Sequence, residues 1–416
     1  MNKLNYLFIA IVTILQAGCS LNGHRSDDEP QKSTWVSLGF KVKESYVAPG
    51  SVLTRLEESN IKTIDIAIFE AEGASSGNFV KKVSGTGGDI TPFTIPIGKK
   101  YILVFVNAKG QLSDLVNSIN ETSTFASIKQ SFIQLGGNGI LDYADLSGGG
   151  SFALTNYDPD VVYDPGNFSS PDAAKSNPIQ IQVERIVSKV EVSLDDKIYQ
   201  EGIFNKGTVE EVKFLLNTTN KSSYVFGNPN DDETVFYDKN FSSPPATDFE
   251  TLINPDWATA PTVVVPTSTV PNAYSAPLYC LENTTQFSDQ RDNVVTHIIV
   301  RVQFTPSGSG FVKGQDFWVK NGIFYNNGSN GGVCYTNGYM YYRIFFKHDT
   351  RSSGYIQDML YAALRNKWYQ VNISKFKEIG SNSYLKPNGD AITADIYASI
   401  SVVIKDWGFI SQNVEC

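Results

Sequence analysis

The stretch that decides the fold runs from Ile61 to Phe69 and reads IKTIDIAIF. Isoleucines at positions 64, 66 and 68 alternate with polar or small residues, which is the period of a strand with one buried face. Residues 98–107 (GKKYILVFVN) are apolar without interruption from Tyr101 to Val106, which predicts a strand buried on both faces. The first half of the chain is therefore expected to rest on a β-sheet.

The pattern extends outward from these two strands. Val36, Leu38, Phe40 and Val42 alternate with polar or small residues, which predicts an earlier strand with one buried face. Apolar residues at helical spacing between positions 112 and 132 predict one or two helices that cross the sheet. A long strand from residue 179 to residue 192 is expected to close a first domain near residue 195.

The second half repeats the β pattern with longer loops that are rich in Asn, Gly, Ser and Pro. Its predicted strands are Leu278 to Leu281, His297 to Phe304, Tyr341 to Phe346, Tyr369 to Ile373 and an alternating run from Ile396 to Ile404. A further extended tail reaches Cys416. A domain rarely ends on such a strand-forming extension without a use for it.

Composition restricts the class of protein. The 416 residues are 41% hydrophobic and 12% aromatic, enough for two globular domains that are mainly β. A formal net charge of -9 argues against a nucleic-acid partner, because the phosphate backbone requires a basic surface. After the N-terminus no apolar run is long enough to cross a bilayer.

The N-terminus is typical of an exported lipoprotein. Lys3 precedes an apolar run over positions 7–15, which is too short for a membrane-spanning helix and fits a signal peptide. Cleavage between Gly18 and Cys19 would leave Cys19 to carry lipid such as palmitate, although Gln16 stands where an aliphatic residue is normal. The alternative is an ordinary secretory signal with an incidental cysteine. The polar residues 20–32 predict a flexible tether.

The chain contains four cysteines, too few for a disulfide-based scaffold. Cys280 and Cys334 could form a disulfide in an oxidising compartment, and buried free thiols fit the sequence equally well. The sequence alone does not choose between these alternatives.

The sequence predicts neither an enzyme nor a cofactor. Gly73 to Gly77 satisfies G-x-S-x-G and follows a strand, but no helical pattern follows it, so a small-residue turn is the better interpretation. The three histidines, at positions 24, 297 and 348, include no convincing base. Acidic and amide residues at 158–164 and 228–232 lack the spacing of a calcium loop and predict solvated turns.

Several strings, taken in order, resemble the fimbrillins of Bacteroidales, the type V pilins, and in particular the shaft subunits of the minor-fimbrium branch. In the first half these are IKTIDIAIF at 61–69, GKKYILVFVN at 98–107, FALTN at 152–156 and VERIVSKV at 183–190. In the second half they are LYCLEN at 278–283, LRNKWY at 364–369 and VIKDW at 403–407. The resemblance lies in the order of these strings over residues 33–416.

The resemblance implies two transthyretin-like β-sandwich domains in tandem, at 56–195 and 196–416, after a signal peptide at 1–18 and a propeptide at 19–55. An arginine-specific protease would cut between Arg55 and Leu56, and Val36, Leu38, Phe40 and Val42 would leave as the displaced strand. Other copies of the chain would then assemble head-to-tail, with anchor and tip subunits in the same fimbrium. The implied route runs from the outer membrane to an extracellular filament that recognises a host or bacterial surface receptor.

Elementary energetics agrees with such a mechanism. Losing four buried apolar side chains forfeits roughly 6 to 12 kcal/mol, at ~1.5 to 3 each, which rivals the roughly 5 to 15 kcal/mol of net stability of a domain. A complementary strand from a neighbour would fill the groove. The tail is the candidate donor, with Trp407 and Phe409 on one face and Ile410 and Val414 on the other.

Alternatives remain at this stage. Arg25 could be cut too, which would leave the first strand attached, and Arg55 could be an ordinary exposed linker charge. The chain could serve as a tip, accessory or anchor subunit of the same fimbria. A surface lipoprotein that binds glycans is a rival from another class, with exposed aromatics such as Trp257, Tyr274, Trp318 and Tyr335. A hydrolase built on Ser75 is the third.

Overall fold

A computed structural model describes residues 32–42, 61–87, 90–134, 151–200, 202–227, 238, 249–250, 252, 255–348, 350–351, 356–392 and 398–406. Two units are distinguished in the chain, Met1–Lys32 and Ser33–Cys416. All the elements below belong to the second unit.

In the first half of this unit the described residues form eleven strands and three short α-helices. The strands are β1 (Ser33–Val36), β2 (Leu38–Val42), β3 (Thr63–Glu70), β4 (Phe79–Thr86), β5 (Phe93–Pro96), β6 (Lys100–Val106), β7 (Phe132–Gln134), β8 (Leu154–Asn156), β9 (Val162–Tyr163), β10 (Ile179–Arg185) and β11 (Val187–Leu194). The helices are α1 (Gly110–Ser118), α2 (Phe125–Lys129) and α3 (Pro171–Lys175).

The second half is described by strands and single 3-10 turns. Its strands are β12 (Gly207–Asn217), β13 (Thr219–Asn220), β14 (Ser222–Tyr224), β15 (Phe249–Glu250), β16 (Thr262–Val263), β17 (Leu278–Leu281), β18 (His297–Pro306), β19 (Phe317–Lys320), β20 (Ile323–Tyr325), β21 (Val333–Tyr335), β22 (Tyr339–Phe345), β23 (Lys367–Phe376) and β24 (Ala398–Asp406). The predicted all-β fold with minor helices is confirmed.

Three larger sheets organise these strands. A seven-stranded sheet runs β2-β10-β8-β6-β3-β4, with β9 beside β6. Two four-stranded sheets, β17-β11-β23-β24 and β16-β12-β18-β22, enclose one apolar cluster between them, because the alternating residues of both sheets point into the same space. Two more clusters are built from the strands of the seven-stranded sheet, and one of them also takes in the apolar faces of α1 and α2.

Most predicted elements are confirmed. β3 and β6 occupy the two decisive stretches, and every residue of β6 from Ile102 onward is fully buried, as expected for a strand covered on both faces. The expected helices are α1 and α2. Phe132, predicted to continue the helical pattern, instead begins β7 and is 49% exposed, because Ile133 takes the buried position.

Two strands predicted to be continuous are each divided between sheets. The segment at 36–42 breaks at Ser37 between β1 and β2, and the one at 179–192 breaks at Ile186 between β10 and β11. Buried apolar residues occur on both sides of each break, so the sequence pattern does not indicate where the strand divides. The main chain changes sheets at Ile186, where its N–H donates to the carbonyl of Ala153 at 3.4 Å.

Candidate functional site

The first candidate element is the N-terminal pair of strands, which the structure divides between two sheets. β1 pairs antiparallel with β5 over its four residues, and β2 pairs in parallel with β10 over its five residues. Within the described residues β2 has no second strand beside it and forms an edge of the seven-stranded sheet. Removing an edge strand breaks one row of main-chain hydrogen bonds, whereas removing an inner strand breaks two.

The apolar side chains of this pair enter the core. Val36 and Leu38 are 1% and 8% exposed, and the half-buried Phe40 packs against the same cluster. Ile95 from β5 and Ile181 from β10 contribute to that cluster. The predicted buried face is thus confirmed for Val36 and Leu38, while the side chain of Val42 lies outside the described residues.

Polar contacts hold the pair in register. Thr34 is fully buried, and its Oγ1 accepts the N–H of Phe168 at 2.7 Å. The N–H of Trp35 donates to the carbonyl of Phe168 at 3.0 Å. At Gly39 a β-carbon would lie 2.5 Å from Nε2 of Gln180, so the glycine leaves room for the Gln180 side chain on β10. These contacts specify one position for the pair.

The second candidate element is β24, the last described strand. It pairs antiparallel with β23 along its whole length, with one bulge between Ile373 and Lys375. Within the described residues β24 has no second neighbour and is an edge of its sheet. The predicted donor residues (Trp407, Phe409, Ile410, Val414), the lipidation and signal-cleavage residues (Gly18, Cys19) and the maturation residues (Arg55, Leu56) all lie outside the described residues.

A carboxylate clamp holds the segment that leads into β24. Asp292 is 1% exposed and accepts the main-chain N–H groups of residues 388–390, the shortest at 2.7 Å from Gly389. Arg343 pairs with the same carboxylate and donates to the carbonyls of Leu385 and Lys386. Sequence analysis missed this clamp, because its two sides are almost a hundred residues apart and only the fold brings them together.

A buried charge cluster lies where the seven-stranded sheet meets the sheet of β11. Arg365 is 2% exposed, and its Nε lies 2.9 Å from Oε2 of Glu282 and 3.8 Å from Oε1 of Glu184. The neighbouring Arg185 is fully buried and donates to Oδ1 of Asn366 at 3.3 Å. Burial raises the pKa of Glu282, and the adjacent Arg365 opposes that rise. Burial of these charges was not foreseen, since such residues are usually exposed.

Cys280 and Cys334 are both free thiols in the structure, which does not contain the disulfide between them. Cys280 is fully buried in β17, where burial raises its pKa to about 12. Cys334 lies in β21, on a separate three-stranded sheet, with its Sγ 3.9 Å from Oδ2 of Asp316. The two side chains therefore occupy separate environments.

The G-x-S-x-G string forms the predicted turn. Gly73–Ser75 is a 3-10 turn between β3 and β4, and Gly77, at φ 85°, donates its N–H to the carbonyl of Glu70 at 2.7 Å. Ser75 is exposed and is followed by β4 instead of a helix. The string therefore lacks the strand-turn-helix context of a nucleophile elbow.

Both described histidines are buried. His297 is fully buried with its Nδ1 3.0 Å from the carbonyl of Val295, and burial lowers its pKa to about 3. His348 lies 2.9 Å from the carbonyl of Ala362, and burial lowers its pKa to about 4. Both side chains are thus structural and neutral at physiological pH.

These lowered pKa values predict an acid-sensitive fold. The pKa of a histidine in an unfolded chain is ~6.5. Below that pH the unfolded state therefore binds protons that the folded state does not bind. Stability should be complete above pH ~6.5 and should fall by about 1.4 kcal/mol per pH unit per histidine as the pH decreases toward 5. Urea unfolding at pH 7, 6 and 5 measures this slope. The H297Q variant should lose about half of it, and an unchanged slope in H297Q would contradict the assignment to His297.

The four aromatics proposed for a glycan surface differ in exposure. Tyr335 is buried at 7% and stacks on Phe317 at 4.8 Å, so its inclusion among exposed residues was wrong. It faces the core because β21 turns that side inward. Trp257 is half-buried against the guanidinium of Arg301, 4.7 Å from the ring centre. Tyr274 is 41% exposed, and Trp318 is half-buried.

The described residues contain neither a cluster of metal ligands nor a membrane-spanning helix. In the described ranges no group of three or more His, Cys, Asp or Glu residues is placed to hold a metal ion. Asp158 and Asp164 instead accept main-chain N–H groups two residues ahead, as in solvated turns. Helices long and apolar enough to cross a bilayer are absent from the described part of the chain.

Both the family model that matches this chain and a solved structure that resembles it come from fimbrial proteins. Residues 333–413 match the family model for the C-terminal part of fimbrillin, the major fimbrial subunit protein type IV. The fimbrilin FimA of Porphyromonas gingivalis W83 has a similar fold, with a TM-score of 0.54 and 15% identity over 91% of this chain and 99% of the other. No curated protein matches the sequence.

The tip fimbrial protein Mfa3 of Porphyromonas gingivalis, with a C-terminal truncation, aligns with 90% of this chain and 100% of its own at 12% identity and a TM-score of 0.45. The fimbrillin match at the C-terminus and the FimA-like fold make this chain similar to fimbrial subunits. The family match covers residues 333–413, and over that segment the chain is similar to the fimbrillins.

Proposed function

We propose that this chain is a shaft subunit that polymerises by proteolysis-triggered strand exchange. One observation carries the proposal: β1 and β2 fill an apolar cluster while β2 occupies the edge of its sheet. A cut at Arg55 would sever the covalent link between this pair and the rest of the fold. The lipid on Cys19 would leave with the propeptide, so it would serve delivery of the subunit to the outer membrane.

The energetics of the vacant groove favours replacement. Val36 and Leu38 contribute roughly 3 to 6 kcal/mol of burial, at ~1.5 to 3 each. Loss of β2 also uncovers the main-chain edge of β10, five residues of which are paired in the intact chain. An apolar groove beside an unpaired strand edge accepts an extended segment by β-augmentation.

The proposed donor is the C-terminal tail of a second copy. It follows β24, which is itself an edge strand within the described residues and is held by the bonds to β23 and by the Asp292 clamp upstream. Each subunit would have the donor strand at one end and the acceptor groove at the other. Such subunits join head-to-tail in a contact that does not close on itself, so the product is a filament. Anchor and tip subunits would then occupy the two ends.

A tip, accessory or anchor subunit is the alternative role. A subunit of this kind at the end of a filament needs only one of the two activities, donation or acceptance. An anchor would also keep Cys19 and the first strand. Mass spectrometry of the N-terminus of the native protein separates the roles, since Leu56 as the first residue marks a processed shaft subunit and lipidated Cys19 marks an anchor.

Digestion of the folded precursor with an arginine-specific protease tests the proposal. The intact chain should give a single N-terminal cut at Arg55 and a ladder of multimers on electrophoresis without boiling. The R55A variant is the matched control and should stay monomeric under the same digestion. A cut at Arg55 without multimers, or a ladder that forms equally in R55A, would contradict the mechanism.

A further inference from the structure

We propose that the outer face of the small sheet β20-β19-β21 binds a neutral carbohydrate, with Trp318 and Tyr325 as the stacking surface. The sheet is inserted between β18 and β22, and its two faces differ in composition. We call the outer face, made of Trp318, Tyr325 and the adjoining loop 326–331, the aromatic platform. It lies outside the elements used for strand exchange.

The alternation along each strand establishes which side chains face outward. Phe317 of β19 is buried in the sandwich core and Val319 packs against it, which directs Trp318 to the opposite face. Phe324 packs on the same core, so the adjacent Tyr325 also points outward. Trp318 and Tyr325 are only half-buried, unlike the inward-facing Phe317, which is 1% exposed.

The strand register places the two outward aromatics side by side. Trp318 stands directly opposite Tyr325 of β20 on one side and Cys334 of β21 on the other. Directly opposed residues have β-carbons about 4.5 to 5.5 Å apart, so the two side chains stand beside each other on the same face. Aromatic rings of this kind offer an apolar face with a polar group at the rim, the N–H of Trp or the O–H of Tyr.

The adjoining loop frames the indole in a fixed geometry. A β-carbon at Gly328 would lie 3.1 Å from the Trp318 ring, so the loop backbone is in contact with it. The side chain of Asn327 accepts the N–H of Ser329 at 3.2 Å, and Nζ of Lys320 donates to the carbonyl of Asn330 at 2.7 Å. The exposed amides of this loop supply donors and acceptors beside the rings.

Charge favours a neutral ligand on this platform. The cation of Lys320 is engaged by the Asn330 carbonyl, and the carboxylate of Asp316 accepts the N–H of Asn337 at 2.7 Å. The whole chain carries a formal net charge of -9, which repels nucleic acid and anionic lipid. A pyranose combines an apolar face of C–H groups with neutral hydroxyls, and aromatic rings flanked by amides match both features.

Size argues against a protein partner. Three strands about 4.8 Å apart and three residues long make a face of roughly 100 Å², whereas a stable protein interface needs about 800 Å² from each partner. The face is large enough for one or two sugar rings. The ligand we infer is therefore a neutral mono- or oligosaccharide, free or as the end of a surface glycan.

A glycan array of neutral and sialylated oligosaccharides, probed with the full-length chain, tests the proposal. We expect binding to neutral glycans, a loss of at least tenfold in W318A and Y325A, and retention of most binding in W318F. Y274A is the matched control, because Tyr274 is an exposed tyrosine outside the platform, and it should bind as the unaltered chain does. Melting curves verify that each variant is folded.

Several outcomes would overturn the proposal. These are the absence of binding to any neutral glycan, binding only to sialylated glycans, and equal binding by folded W318A. Adhesion to cells that requires Trp318 but survives enzymatic removal of surface glycans would identify a protein partner and reject a carbohydrate. None of these results depends on polymerisation, so strand exchange is tested separately.

Discussion

A chain that begins at Leu56 should form multimers during refolding, and removal of residues 408–416 from that same chain should abolish them. The first truncation deletes β1 and β2, which removes Val36 and Leu38 from the core cluster and leaves β10 without its edge partner. Only a strand from another copy then restores both the apolar contacts and the main-chain hydrogen bonds. The second truncation removes the proposed donor. Analytical ultracentrifugation of both chains measures the difference.

The controls for this experiment come from the same chain. Removing residues 408–416 alone should leave a folded monomer, because β1 and β2 still occupy the groove. Removing residues 1–32 alone should also leave a monomer, since it spares both strands. Multimers that persist after both truncations would show that the tail is not the donor, and aggregation without defined multimers would argue against a specific groove.

Replacing Arg365 by methionine should lower the free energy of unfolding by about 3 to 5 kcal/mol, because the change removes the cation that lies 2.9 Å from the buried carboxylate of Glu282. The loss is a large share of the roughly 5 to 15 kcal/mol that stabilises a domain. Arg365 also donates to the carbonyl of Tyr224 at 2.9 Å, so the change breaks contacts to a third strand. Urea unfolding of R365M against the unaltered chain measures the effect.

The Lys99–Glu72 pair supplies the comparison for Arg365. Its side chains are 52% and 53% exposed at a distance of 2.9 Å, so K99M should leave stability unchanged within error. The double variant R365M/E282Q should be more stable than the sum of its single changes predicts, since it removes both members of the pair. A loss in R365M no larger than in K99M would show that the cluster contributes nothing to stability.

Much of the sheet structure could be predicted because burial leaves a periodic trace. The alternating isoleucines of β3 and the continuous apolar run of β6 both report how many faces of the strand are covered. The break at Ile186 could not be predicted, because the residues on both sides of it remain buried while the hydrogen-bonding partners change from β2 and β8 to β17 and β23. The periodicity of apolar residues indicates which faces of a strand are buried, but it does not indicate which strands pair with it.

The candidate site likewise has features that the sequence predicted and features that only the fold reveals. The alternation of Val36 and Leu38 identified the N-terminal segment as half-buried from sequence alone. Its parallel pairing with β10, its place at the sheet edge and the contact of Thr34 with Phe168 join positions more than a hundred residues apart. The Asp292 clamp and the Arg365 cluster likewise depend on charged residues that sequence patterns assign to the surface.

By itself, the sequence determined the β class, the buried faces of the strands and the ordered strings that resemble the fimbrillins, because these depend on residues close together in the chain. Only the tertiary structure decided which strands are edges, which aromatics face outward and which charges are buried. Those properties arise from contacts between distant segments. Tyr335 and Trp318 illustrate the difference: both are aromatic residues in short strands, and the packing of the small sheet on the core buries one and leaves the other half-exposed.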